Sequence, residues 1–151
     1  MIFKKYINKE CVAILHEQTK TEVLLRLINL LCKTCQIADV ETLTKSIFYR
    51  EQLMSTGIGL GIAIPHVRYE GITRPIIAIG IIPEGIKDYQ SIDDQIVKLV
   101  IMILVGSNQH KEHIRLLSQI VSFLKNSEVR QKIFNAKSIP EILEFFLKDE
   151  C

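Results

Sequence analysis

Two long apolar runs constrain the fold of this chain more than any other feature. Residues 75–82 (PIIAIGII) and 95–105 (QIVKLVIMILV) are almost entirely apolar and rich in isoleucine and valine. Such runs are typical of strands that are covered on both faces by helices. They therefore predict a central sheet inside a layered α/β domain.

Shorter patterns predict the elements around these strands. An edge strand is expected over residues 10–16, and a short apolar strand over residues 61–64. Apolar residues at helical spacing predict five helices: 21–33, 39–53, a segment after Ser107-Asn108, 128–135 and 140–147. Thr19 or Thr21 is expected to cap the first helix, and Asp39 the second. The inner face of the third helix is expected to carry Ile114, Leu117, Val121 and Leu124.

The order of these elements is helices first, strands in the middle and helices last. A length of 151 residues suits one domain with its own core, so residues 1–151 are expected to form a single domain. We expect an α/β fold with three layers, in which a mixed central sheet of about five strands is flanked by helices.

Charge and composition exclude several classes of function. The net charge is +2 with mixed signs and no polybasic stripe, which disfavours nucleic acid and anionic membranes as partners. The longest uninterrupted apolar stretch, 99–105, is far below the roughly 20 residues that span a bilayer, and no signal peptide is apparent, so a cytoplasmic protein without membrane insertion is expected. Cys32-x-x-Cys35 has no second Cys/His pair at zinc spacing and is interpreted as two buried helix thiols.

The motif whose residue types are suited to a functional site is REQLMSTGIGLGIAIPHV, residues 50–67. Its glycines let backbone N–H groups approach an anion closely. Pro65 cannot extend a strand ladder, so the chain is expected to leave the sheet there and to hold His66 at a strand end. An imidazole in this place can act as a nucleophile toward phosphorus, or it can be a structural histidine whose nitrogens bond backbone or water.

Arg50 and His113 are two further candidates for this site. Arg50 falls on the core-facing stripe of its helix, where its guanidinium either lies along apolar surface or points at the mouth of the glycine loop. His113 falls in the first turn of its helix, where the dipole favours a neutral imidazole, or it is a rim residue near the cap. A zinc site of His66, His110 and His113 is an alternative that lacks an acidic ligand.

Ser55 and Thr56 stand directly before the glycines. They either donate hydroxyl hydrogen bonds to the same anion or act as turn residues. With Gly57, Gly59 and Gly61 they form a candidate phosphoryl-binding loop.

At this point the residues resemble a known family. STGIGLGIAIPH, preceded by Arg50-Glu51, resembles the active-site signature of the IIA domains of the bacterial sugar phosphotransferase system (PTS), fructose/mannitol type. IDDQIVKLVIMILV is similar to the family's ID-x-QPVDL segment, and HKEHIRLLSQI to its H-[LI]-x-x-L helix. The resemblance covers nearly the whole chain. Without attached IIB or IIC segments, the chain is expected to be most like the nitrogen-regulatory members.

The resemblance implies a phosphohistidine carrier. His66 would be the phosphorylated nucleophile, Arg50 the charge stabiliser, and His113 the second active-site histidine. The implied donor is the phosphocarrier HPr or its nitrogen-branch relative. The implied acceptor is a IIB domain, unless a regulated target protein reads the phosphorylation state. No metal ion or other cofactor is implied, and the site is expected to be shallow, with an apolar rim for partners that dock in turn.

Val67 departs from the family pattern, which usually has a small residue after the histidine. A branched side chain there can crowd the docking face. An interaction module that keeps the fold but is no longer phosphorylated is therefore one alternative, and a metal-dependent enzyme is another. The presence of Arg50, His66 and His113 together favours the phosphoryl carrier.

Overall fold

A computed structural model describes residues 2–148. After a short 3-10 helix at Ile2–Tyr6, the elements along the chain are β1 (Ile7–Ile14), α1 (Lys20–Cys35), α2 (Val40–Leu53), β2 (Gly57–Gly59), β3 (Ile62–Ala63), β4 (His66–Tyr69), β5 (Ile76–Ile86), β6 (Val97–Gly106), α3 (His110–Leu124), α4 (Ser127–Phe134) and α5 (Ile139–Leu147).

Six strands form one mixed sheet with β5 and β6 at its centre. The order is β1-β5-β6-β3-β2, and β4 also pairs with β6. β1 is parallel to β5, β5 and β6 are antiparallel, and β3 and β4 both run parallel to β6. The predicted mixed sheet is confirmed, with six strands instead of about five. The predicted edge strand is β1, which covers Ile7–Ile14 instead of residues 10–16.

The chain does not leave the sheet at Pro65, which corrects the prediction. β3 ends at Ala63, and β4 begins at His66 on the same side of β6. Pro65 has no N–H, but its carbonyl accepts a hydrogen bond from Ile103 N at 2.9 Å, so the two short strands continue one another along β6. His66 therefore begins a strand instead of following one.

The register of the sheet separates the glycine turn from His66. Ile62, directly after the turn, pairs with Leu99, whereas His66 pairs with Ile103. These two positions on β6 differ by four residues, which at about 3.3 Å per residue is about 13 Å. The turn and the histidine thus lie at different levels of the sheet.

Helices cover both faces of the sheet, as the apolar runs predicted. Along β6, Leu99, Ile101 and Ile103 pack against the side chains of α3, α4 and α5, whereas Val100 and Met102 pack against α1 and α2. All five are at most 1% exposed. Full burial of a side chain of this size contributes about 1.5–3 kcal/mol, so continuous apolar sequence is needed where both faces are covered. The three-layer α/β architecture is confirmed.

Side-chain caps define the starts of the first two helices. Thr19 Oγ1 accepts a hydrogen bond from Glu22 N at 3.2 Å, and Asp39 Oδ1 accepts one from Thr42 N at 3.1 Å. Asp39 is confirmed as a cap, and Thr19 is the cap of α1 among the two candidates.

The buried face of α3 agrees with the predicted one only in part: Leu124 is buried and Leu117 and Val121 pack half-buried against the core, whereas Ile114 does not. The buried residues are Leu116, Ile120, Phe123 and Leu124. Ile114, predicted to face the core, is 57% exposed. Both sets have helical spacing, and docking on the sheet selects the face that also carries the Phe123 ring.

Strand β5 extends beyond its predicted end at residue 82. It continues through Pro83 to Ile86, and its pairing with β6 shifts register between Ile81 and Ile86. Pro83 lies in this irregular part, where a missing N–H is tolerated.

The three cysteines among residues 2–148 are free, with Cys11 and Cys32 buried and Cys35 half-buried. Of the two helix thiols predicted to be buried, Cys32 is buried and Cys35 is only half-buried. Within the same residues, no helix combines the length and the apolar character that crossing a bilayer requires.

Candidate functional site

His66 begins β4 with its ring half-buried. Its Nδ1 lies 2.6 Å from Ile64 O. A carbonyl oxygen can only accept, so we assign the ring proton to Nδ1, which leaves the lone pair on Nε2. Burial is the main cause of a lowered pKa at His66, and the positive charge of Arg50 adds to it. The hydrogen bond to Ile64 and the negative charge of Glu51 act in the opposite direction. A neutral imidazole with a free Nε2 lone pair is therefore the resting form at neutral pH.

His113 lies in the first turn of α3 with its ring against that of His66. The ring centroids are 4.7 Å apart and the planes meet at 66°, an edge-to-face contact. Its Nε2 is buried and has no hydrogen-bond partner within residues 2–148. Burial lowers the pKa of His113 to about 4, and the charges of His66 and Arg68 act in the same direction. His113 is therefore neutral at pH 7, as predicted, but the main cause is burial and not the helix start from which neutrality was predicted.

Arg50 lies in the last turn of α2 and is half-buried. Its Nη1 donates a hydrogen bond to Met54 O at 2.7 Å, just beyond the helix end. Its positive charge acts on both imidazoles and contributes to the lowered pKa of His66 and of His113. The two imidazoles, distant in sequence, are in direct contact, and the charge of Arg50 acts on both.

Ser55 and Thr56 have hydrogen-bond partners inside the fold. Ser55 Oγ donates to Gln90 O at 2.6 Å. Thr56 is 4% exposed; its hydroxyl donates to Glu51 Oε2 at 2.5 Å and lies 2.9 Å from Tyr89 OH. Of the two predicted roles, the structure gives both hydroxyls the structural one.

The backbone of the glycine loop donates a hydrogen bond to a carboxylate of the same chain, that of Asp93. Leu60 N donates a hydrogen bond to Asp93 Oδ2 at 2.8 Å. Gly59, at φ +95°, leaves room for the carboxylate, because a Cβ there would lie 3.0 Å from the same oxygen. Hydrogen bonds from the backbone N–H groups of Leu60 and Gln95 lower the pKa of Asp93.

Gly57 and Gly61 also serve packing. A Cβ on Gly57 would overlap the carbonyl oxygen of Gln90, and one on Gly61, at φ +81°, would lie 3.2 Å from the ring of Phe134. The glycines therefore shape the β2–β3 hairpin and let the 90–93 segment approach it. That Gly57, Gly59 and Gly61 face the same anion as His66 stays a prediction.

Val67 does not lie on a docking face. Its side chain is 8% exposed and belongs to the core beneath α1 and α2, and its backbone pairs with Leu104. The suggestion that Val67 crowds an incoming partner is wrong, because the first side chain after His66 points into the domain.

Exposed apolar side chains follow Arg50 and His113 in the sequence. Leu53 and Met54, at the end of α2, are 64% and 71% exposed, and Ile114, directly after His113, is 57% exposed. Exposed apolar side chains can take part in the docking of another molecule when they form a patch. The apolar rim around His66 stays a prediction.

The metal-site alternative has no support in the geometry. Within residues 2–148, no group of three or more His, Cys, Asp and Glu side chains is arranged to hold a metal ion. His66, His110 and His113 therefore do not form a zinc site of the kind considered from their spacing.

Comparison with known proteins identifies the family. The family model described as phosphoenolpyruvate-dependent sugar phosphotransferase system, EIIA 2, matches residues 5–149. The chain belongs to this family. This EIIA 2 protein is 35% identical over 118 residues to a nitrogen regulatory protein of Pseudomonas aeruginosa, covering 78% of this chain and 76% of that one. It is 32% identical over 130 residues to the fructose-specific EIIABC component of Bacillus subtilis; the match covers 86% of this chain but only 20% of that protein's length.

Solved structures share the fold of this EIIA 2 protein. The crystal structure of nitrogen regulatory protein IIA-Ntr from Neisseria meningitidis matches with a TM-score of 0.87 at 22% identity, over 97% of this chain and 99% of that one. A structure of the complex of enzyme IIAMTL and phosphorylated enzyme IIBMTL from Escherichia coli matches with a TM-score of 0.79 at 22% identity, over 94% and 97%. These likenesses confirm the fold.

One buried charge of this EIIA 2 protein was not predicted from the sequence. Glu51 is 5% exposed and pairs with Lys20 at 3.0 Å. The sequence does contain a pattern that indicates its burial. Leu43, Ile47 and Glu51 follow one another at spacings of four and form the buried stripe of α2. Arg50 lies beside this stripe instead of on it.

Proposed function

We propose that this domain is a phosphohistidine carrier, in which His66 accepts a phosphoryl group from an HPr-type phosphocarrier and passes it to a IIB domain or holds it as a regulatory signal. The observation that carries the proposal is the contact between two neutral imidazoles. His66 keeps its Nε2 lone pair because Nδ1 is bound to Ile64, and His113 presents a buried Nε2 that has no hydrogen-bond partner among residues 2–148.

Transfer between two imidazoles requires no proton movement at His66. The Nε2 lone pair attacks the phosphorus of the donor's phosphohistidine in line with the bond that breaks. The electron pair of the donor's P–N bond returns to the donor ring nitrogen. The His66 ring gains positive charge during attack, and the hydrogen bond from Nδ1 to Ile64 O, 2.6 Å long, stabilises that charge.

Arg50 and His113 are suited to the phosphoryl oxygens. The Arg50 guanidinium is a planar donor whose charge acts on both rings, and it contributes positive charge without a metal ion. The His113 Nε2, when it carries the ring proton, gains a hydrogen-bond partner in a phosphoryl oxygen. Because His113 is neutral, it does not withdraw electron density from His66 by its own charge. Ser55, Thr56 and the glycines support this cage through the fold.

The names of similar proteins support two uses of the phosphoryl group. A Pseudomonas aeruginosa relative is named a nitrogen regulatory protein, and an Escherichia coli IIA protein of the same fold was solved in complex with a phosphorylated IIB protein. We propose that partners dock in turn on the rim formed by Leu53, Met54 and Ile114, since each must reach His66.

The proposal is tested with phosphoenolpyruvate, enzyme I and an HPr-type carrier from either branch, with intact mass and acid lability as readouts. We expect the wild type and His16→Ala, whose side chain is 71% exposed, to gain one phosphoryl group. His66→Ala should gain none. The proposal is wrong if the wild type gains none from either carrier, or if His66→Ala gains as much as the wild type.

The non-phosphorylated interaction module has no observation in its favour. Its support was Val67 as a surface obstacle, and this side chain is buried.

A further inference from the structure

A buried carboxylate, that of Glu51, is connected to His66 through hydrogen bonds of Thr56 and Ile64. Glu51 is 5% exposed, and both of its oxygens are bound. Oε1 is 3.0 Å from Lys20 Nζ and accepts a hydrogen bond from Thr56 N at 3.3 Å, whereas Oε2 accepts one from Thr56 Oγ1 at 2.5 Å. A buried charge is costly unless it is paired and hydrogen-bonded, and here one cation and two donors compensate it.

This group joins four segments of the chain. Lys20 begins α1, Glu51 lies on α2, Thr56 precedes β2, and Tyr89 follows β5. Tyr89 OH is 2.9 Å from Thr56 Oγ1, and Lys20 Nζ lies 4.5 Å from the centre of the Tyr89 ring. The Glu51 cluster, defined by these four residues, therefore holds α1 and α2 against the hairpin that leads to β4.

Two further hydrogen bonds lead from the Glu51 cluster to the imidazole. Ile64 N donates to Thr56 O at 3.0 Å. Ile64 O, in turn, accepts the hydrogen bond from His66 Nδ1. The carbonyl that sets the His66 tautomer is thus held in place by Thr56, and Thr56 is held at both its N–H and its hydroxyl by Glu51.

We propose that Glu51 is a positioning residue for His66. It holds Thr56, and through Thr56 the Ile64 carbonyl, where Nδ1–H stays bonded and Nε2 faces the phosphoryl group. The catalytic meaning of this inference rests on the proposed function of His66, but the state of the imidazole can be measured without any phosphoryl transfer. A residue that only stabilised the fold would change the free energy of unfolding and leave the imidazole as it is.

The negative charge of Glu51 also acts electrostatically on the imidazole of His66. It raises the pKa of His66 and opposes the effect of Arg50, its neighbour in sequence. Glu51→Gln keeps the shape and removes the charge, so it is expected to lower the pKa of His66 and to weaken the hold on Thr56.

The experiment compares Glu51→Gln with a matched control on the same helix. Glu41 is exposed and pairs with Lys45 at 3.0 Å in solvent, so Glu41→Gln removes a carboxylate from α2 without touching the cluster. Imidazole ¹⁵N spectra over a pH series report the titration midpoint and tautomer of His66, and the phosphorylation assay reports its rate. For Glu51→Gln we expect a lower midpoint, a tautomer mixture and a rate about 10-fold lower, as when the hydrogen-bond partner behind a metal-binding histidine is removed. Glu41→Gln should match the wild type.

If Glu51→Gln fails to fold, a second pair of variants tests the positioning role of Glu51. Thr56→Val removes the hydroxyl but leaves the charge of Glu51, and Thr56→Ser restores the hydroxyl. We expect Thr56→Val to populate the second tautomer of His66 and Thr56→Ser to return it to the wild-type state. The proposal is overturned if folded Glu51→Gln, or Thr56→Val in its place, shows the wild-type midpoint and tautomer. If the wild type accepts no phosphoryl group, the proposed function fails, whereas the spectra still decide the role of Glu51.

Discussion

Protonation of His113 is expected to destabilise the folded domain at acid pH. Burial lowers its pKa from the ordinary value of 6.5 to about 4, so the unfolded chain binds this proton more readily than the folded one. Stability is then fully present above pH 6.5, is lost as pH falls from 6.5 toward 4, and changes no further through this group below both values.

The size of the effect follows from these two values. Between pH 7 and pH 4.5, a pKa of 6.5 in the unfolded chain and about 4 in the folded domain correspond to a loss of about 2 kcal/mol. His113 is only half-buried, and solvent screens part of its charge, so we expect a loss of about 1 kcal/mol.

The assay is urea unfolding at both pH values for the wild type and His113→Gln. Glutamine does not titrate, so the variant should lose about 1 kcal/mol less than the wild type between pH 7 and pH 4.5. The comparison uses each protein's own change with pH, so a constant cost of the substitution cancels. His16→Gln, at a side chain that is 71% exposed, should follow the wild type. Parallel changes in the wild type and His113→Gln would refute the reasoning.

Three other predictions concern the site, the hairpin and the thiols. Arg50→Lys keeps the charge but loses the planar fork, so phosphorylation of His66 should slow several-fold or more; an unchanged rate would remove Arg50 from the mechanism. Gly57→Ala places a methyl group against a backbone carbonyl and should lower the free energy of unfolding by about 2–3 kcal/mol in urea. Gly71→Ala meets only a tyrosine ring that can turn away, and an equal loss there would contradict the argument. Burial raises the pKa of Cys11 to about 11, so iodoacetamide at pH 8, followed by peptide mapping, should label Cys11 only in denaturant; rapid labelling of the folded protein would count against this.

The central strands were predictable because burial on both faces leaves a direct trace in sequence. In β6, neighbouring residues such as Ile101 and Met102 enter different cores, so polar alternation is absent. Helix starts were predictable at Asp39 because capping is local. The exposure of Ile114 on α3 was not, since Ile114 and Leu116 each belong to a stripe with helical spacing, and the sheet decides which stripe is buried most deeply.

For the site, the residue types within residues 50–67 predicted three components: a histidine, an arginine and an anion-binding loop. Which anion the loop contacts depends on the register of strands that are distant in the sequence. The amide of Leu60 is bound by Asp93, and the turn lies at the level of Leu99 instead of Ile103.

What the sequence determined by itself was therefore local: the helix and strand patterns, the caps, and the residue types able to carry phosphoryl chemistry. The tertiary structure decided which groups meet, including the contact of the His66 and His113 rings and the hold of Glu51 on Thr56. The physical reason is that propensity and periodicity act over a few residues, whereas the partner of a buried polar group is selected by the packing of the whole chain.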